Sequence, residues 1–70
     1  MVEKIVELTG TSSRSIEEAV QMALSRASVT VSGIRRAEIT STTALVENGR
    51  INGWKVELRV AFEIRDRIHE

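Results

Sequence analysis

The sequence predicts an α+β domain of order β-α-β-β, with a three-stranded antiparallel sheet packed on one helix. Three observations predict it. Residues Trp54 to Ile64 alternate strictly between apolar and polar, a Ser-x-x-Glu helix start at Ser15 opens an apolar stripe, and Asn48-Gly49 separates two runs that favour strand. The whole chain, residues 1–70, reads as a single domain, because it contains no internal repeat, linker, low-complexity tract or proline.

Val2 to Thr9 is a short run rich in β-branched residues, stopping at Gly10, and is the expected first strand. After the polar link Thr11 to Arg14, Ser15-Ile16-Glu17-Glu18 has the form of a capping box. In it Ser15 accepts from the amide of Glu18 and Glu18 returns the bond. The helix that follows places Ile16, Ala19, Val20, Ala23, Ala27 and Val31 on one stripe rich in small residues, and is expected to run from about Ser15 to Val31. Gly33 is then its left-handed stop. From Ile34 to Val46 the chain turns extended again, and Asn48-Gly49 supplies the positive φ angles of a two-residue type I′ hairpin turn. Gly53 marks a bulge or a close backbone approach. In the last strand Trp54, Val56, Leu58, Val60, Phe62 and Ile64 share the core face, while Lys55, Glu57, Arg59, Ala61 and Glu63 share the other.

Composition narrows the function. A chain of 70 residues buries only about 60% of its unfolded surface, and domains of this size usually gain robustness from disulfides, a metal or self-association. Cysteine is absent and the single histidine, His69, has no ligand cluster at zinc spacing, so self-association remains. Ile5, Met22, Leu24 and Val29 lie off the core stripes and are candidates for subunit contacts. Zero net charge argues against a broad nucleic-acid footprint. No stretch approaches the roughly 18 apolar residues of a membrane span, and charges interrupt Met1 to Leu8 where a signal peptide needs an apolar run. A cytoplasmic protein with no membrane and no nucleic-acid partner is expected.

The run Leu8-Thr9-Gly10-Thr11-Ser12, the helix start Ser15 to Val20, Arg26-Ala27, the Glu47-Asn48-Gly49 hairpin and the Trp54 to Phe62 strand resemble, in that order, the dodecin family. The resemblance covers nearly the whole chain. It implies a β-α-β-β subunit that assembles into a hollow homododecamer of tetrahedral symmetry and stores a flavin (FMN, FAD or riboflavin) or a related anionic nucleotide. It also implies that oligomerisation supplements the thin core.

At the family's flavin site the chain departs from the pattern. Arg36 stands where a tryptophan stacks on the flavin ring and its symmetry mate does the same for a second flavin, and Lys55 stands where a glutamine bonds the ring edge. Stacking of a base-like ring on an aromatic is worth about 1–3 kcal/mol. Arg36 offers a planar guanidinium on a flexible stem instead. Lys55 donates hydrogen bonds but cannot accept, so it cannot reproduce an amide's paired recognition. Alternation places Trp54 on the opposite side from Lys55, in core or interface packing, and not as a substitute platform. Arg36 and Lys55, converging as the family fold implies, form a basic spot. Either Glu38 and Glu57 neutralise it in a cross-strand network, or it binds an anion through charge-assisted hydrogen bonds.

Enzymatic chemistry is not expected, because no cysteine, no internal histidine and no base related to the Ser and Thr hydroxyls is present. Adjacent Glu17 and Glu18 suit the first turn of a helix through its dipole. The Thr40 to Thr43 run reads as a ligand contact or as a solvated strand face. No residue is singled out as a metal ligand. The rival function is a flavin-free assembly that binds ions or another small anion.

Overall fold

A computed structural model of the chain describes residues 2–64. Strand β1 (Val2–Ser12), helix α1 (Ile16–Ala27), strand β2 (Ile34–Glu47) and strand β3 (Arg50–Ile64) follow in the expected order. The sheet order is β1-β3-β2 with both pairings antiparallel, so the strictly alternating strand is the central one. His69 lies outside the described residues.

Helix α1 packs on β1 and β3. Val56 and Val60 are fully buried, Leu58 is 1% exposed, and Ala19 and Ala23 meet them from the helix. Helix alanines set the depth of this core, since a methyl is all that separates the helix backbone from the strands. Gly10 carries that argument furthest. A Cβ there would lie 2.2 Å from the backbone oxygen of Ala19. The expectation that Gly10 ends the first strand is therefore corrected: β1 continues to Ser12, and the glycine is the point at which the helix crosses it.

The helix ends earlier than Val31. Its last residue is Ala27, after which the Ser28 hydroxyl donates to the Leu24 carbonyl at 2.8 Å and the Val29 and Thr30 amides donate to Arg26 and Ala27. The β-branched run Val29-Thr30-Val31 is a poor helix former and does not extend the stripe. Gly33 does adopt a positive φ of 78°, but in the link to β2, where its carbonyl accepts from the Glu63 amide. At the helix start Ser15 accepts from the Glu18 amide at 3.0 Å, whereas the Glu18 carboxylate accepts from the Ser12 hydroxyl at 2.5 Å. Half of the expected capping box is thus replaced by a bond that ties the helix to the end of β1.

Asn48 and Gly49 have φ of 55° and 75°, as a type I′ turn requires. Past the turn, Leu45 pairs with Gly53 while Val46 pairs with Ile51, which leaves Asn52 as the extra residue of a bulge. Its amide donates to the Glu47 carboxylate at 2.8 Å. Gly53 is also a close approach, with a Cβ there 3.0 Å from the Ser12 carbonyl oxygen. Ile5, Met22 and Val29 are exposed, while Leu24 is half-buried against the core. No helix among the described residues is long and apolar enough to cross a membrane.

Candidate functional site on the open sheet face

The face of the sheet away from α1 is read from the register as four cross-strand rows. Arg36, Ala61 and Ile5 form one; Glu38, Arg59 and Glu7 the next; then Ser41, Glu57 and Thr9; then Thr43, Lys55 and Thr11. Trp54 stands on the helix side, between Ala44 and Ser12, and is half-buried there.

Two departures from regular pairing shape this face. Ile34 pairs with Phe62 and Arg36 with Ala61, so Arg35 is the extra residue of a bulge, and strict alternation is lost where two arginines adjoin. Both reach carboxylates. Arg35 binds Glu63, and Arg36 binds Glu3 through a fork, Nη1 to Oε2 at 2.9 Å and Nη2 to Oε1 at 3.0 Å. Glu3 and Glu63 are direct cross-strand partners, a like-charge pairing that is destabilising unless compensated. The bulge supplies one arginine to each. Both guanidiniums have pKa values above the ordinary arginine value, Arg36 first through its hydrogen bonds to Glu3 and Arg35 first through its bond to Glu63. The second bulge, at Thr40, turns that hydroxyl to the Glu57 carbonyl at 3.1 Å and leaves Ser41 and Thr43 to the open face.

Arg36 therefore reaches Glu3 across the whole width of the sheet. Its row passes over Ala61, the one small residue among the five that β3 presents to this side from Lys55 to Glu63, and Ala61 is only 3% exposed. Outer strands of such a sheet stand about 10 Å apart, two spacings of about 4.8 Å, a gap that a long side chain from each side closes only above a small central residue. Of the two alternatives read from sequence, one had Glu38 and Glu57 neutralise the basic spot in a cross-strand network; the ion pair found for Arg36 is with Glu3, two strands away. Glu3 was missed because its relation to Arg36 depends on β1 and β2 flanking β3. Nothing in the local sequence states that order.

Lys55 contrasts with Arg36. It is half-buried between Thr11 and Thr43 and has no carboxylate or hydrogen-bond partner among the described residues. Lys55 and Ala61 are six residues apart on β3, and Arg36 sits opposite Ala61. At about 3.3 Å per residue the two basic positions are separated by about 20 Å within one chain. Within a subunit they do not converge.

One helix set over part of a three-stranded antiparallel sheet, with the opposite face polar and uncovered, defines a class of small α+β chains that present a sheet surface to a ligand or to another copy. The family model described as Dodecin matches residues 2–65, and the chain belongs to the dodecin family. Among solved structures it is similar to a Thermus thermophilus protein, at 32% identity over 93% of this chain and 96% of that one, with a TM-score of 0.87. It is similar to the dodecin of Streptomyces coelicolor at 29% identity over 93% of each chain, with a TM-score of 0.86. The calcium dodecin of Mycobacterium tuberculosis, a calcium-chelating immunodominant antigen, is 31% identical over the full length of both chains, with a TM-score of 0.79. No curated protein matches in sequence.

Proposed function

We propose that the chain is a non-enzymatic, cytoplasmic binding and storage protein that assembles as a homododecamer and takes a flavin or a related anionic nucleotide on its open sheet face, with Arg36 and Lys55 as contact residues. Family membership supports the ligand class. The observation that carries the site is Lys55, a half-buried residue flanked in the register by Thr11 and Thr43, with no carboxylate partner among the described residues. Such a group suits a phosphate or carboxylate. Arg36, whose end-on donor pair is held by Glu3, contributes chiefly the face of its guanidinium.

Native mass spectrometry of protein purified without added cofactor tests this directly. Twelve copies of the 7.8 kDa chain give about 94 kDa for a closed assembly. Added mass matching a flavin supports storage, while a monomer or dimer removes the assembly on which the site depends. The double substitution Arg36→Trp with Lys55→Gln is expected to strengthen quenching of riboflavin fluorescence by about tenfold or more in affinity, from restored stacking of about 1–3 kcal/mol. No gain places the ring elsewhere.

A second reading is a flavin-free assembly that binds ions or another small anion. The similarity to a relative described as a calcium dodecin favours it. A colourless dodecamer that ignores flavins yet gains stability with calcium would select this reading.

A further inference from the structure

The Arg36–Glu3 pair has a geometry that a surface ion pair does not need. A pair serving only to cancel charge is satisfied by one contact, as Arg59 and Glu7 illustrate at 3.9 Å. Here both terminal nitrogens meet both oxygens, at 2.9 and 3.0 Å, so each donor of the fork's outer edge is spent on Glu3. A fork of this kind is flat, because guanidinium and carboxylate are each planar and two parallel hydrogen bonds hold them together. Ala61 is nearly inaccessible beneath it, and Ile5 beside Ala61 is 54% exposed. The Arg36 side chain itself remains 64% exposed. Its end-on donor pair is engaged while most of the side chain stays open to solvent.

We propose that Glu3 is a specificity-determining residue. By taking the end-on pair of Arg36's five N–H donors and setting a carboxylate against its charge, it turns this end of the open face into a charge-balanced surface that accepts an uncharged planar heteroaromatic ring and disfavours phosphate at the same place. The carboxylate works twice. It takes the end-on donor pair with which the guanidinium would grip a phosphate through both terminal nitrogens, leaving three N–H groups beside a carboxylate, and it repels the phosphate itself. Stacking on a guanidinium plane needs neither donor, and Ile5 offers an apolar neighbour for the ring edge. The inference rests on the binding function proposed above and adds a division of labour: rings at Arg36, anions at Lys55.

The test compares riboflavin, which carries no phosphate, with FMN, which shares its ring, by fluorescence titration of the whole assembly. Glu3→Thr keeps a strand-favouring residue, which is too short to reach Arg36. Glu7→Gln serves as the control, since it removes the same charge from the same face without touching the fork. The expected result is that Glu3→Thr raises the FMN-to-riboflavin affinity ratio about tenfold or more by freeing two donors, while Glu7→Gln leaves the ratio within about twofold. An unchanged ratio in a Glu3→Thr assembly that still binds both probes overturns the inference and leaves the storage reading standing. Wild type silent toward both probes, with FMN binding gained in Glu3→Thr, supports the role of Glu3 and overturns flavin storage. An equal shift in Glu7→Gln reduces the effect to net charge and also overturns the inference.

Discussion

The two faces of β3 bury residues by different means. Toward α1, Val56, Leu58 and Val60 are covered by helix alanines and neighbouring apolar chains. Away from α1, Ala61 is 3% exposed, almost as buried as Leu58 at 1%, yet its cross-strand neighbours are Ile5 and Arg36, the latter ion-paired to Glu3 on the far outer strand. The first kind of burial is apolar and close-packed, so it sets stability. The second is ionic and lies at the surface, where pairs add little to folding, and its consequence is the shape and charge that the face displays. One strand thus carries a core on one side and a patterned polar surface on the other.

If that division is right, disturbing the helix-side face is costly whatever the ligand. Leu58→Ala is expected to cost about 2–5 kcal/mol, measured by chemical denaturation at fixed protein concentration so that assembly does not confound the comparison. A loss well below 1 kcal/mol would mean that subunit contacts, not this core, dominate stability. Gly10→Ala comes next. Its methyl would meet the Ala19 carbonyl oxygen at 2.2 Å, against helix backbone that cannot rotate away. Moving α1 off β1 should cost about 1–3 kcal/mol. Unchanged stability would show that the helix seat is looser than the alanines imply.

The same contrast explains what could be read from the amino acids alone. Period-two alternation from Trp54 to Ile64, the Ser15 cap and the Asn48-Gly49 turn are local signals, and each produced its element. The helix end was overextended because the apolar stripe continues to Val31 while the β-branched run that stops it counts only through backbone propensity. Gly10 reads as a terminator in sequence and acts as a crossing point in space, a distinction that needs the position of Ala19. The open face was the least legible. Its pairings depend on strand order and on single-residue bulges at Arg35 and Thr40, each of which shifts side chains between faces without any mark in composition. Arg36 and Lys55 were singled out by resemblance; Glu3, two strands from Arg36, was not.

The smallest expected change in stability falls on Ala61. Ala61→Leu adds an apolar side chain at a buried position, but Arg36 and Glu3, 64% and 36% exposed, can swing aside, so the overpacking cost of a closed core does not arise in full and folding stability should alter by about 1 kcal/mol. Its effect on binding should be out of proportion to that. The added branches occupy the space over which the two side chains meet, and a fork with both contacts near 3 Å cannot close around them. Arg36 then regains its terminal donors while Glu3 stays on the face, so the FMN-to-riboflavin ratio should rise, but by less than in Glu3→Thr, where the repelling carboxylate is also gone. A rise in Ala61→Leu equal to that in Glu3→Thr would assign the discrimination to the occupied donors alone. No rise, with Glu3→Thr effective, would assign it to the charge of Glu3 and make the small residue under the fork a matter of packing only.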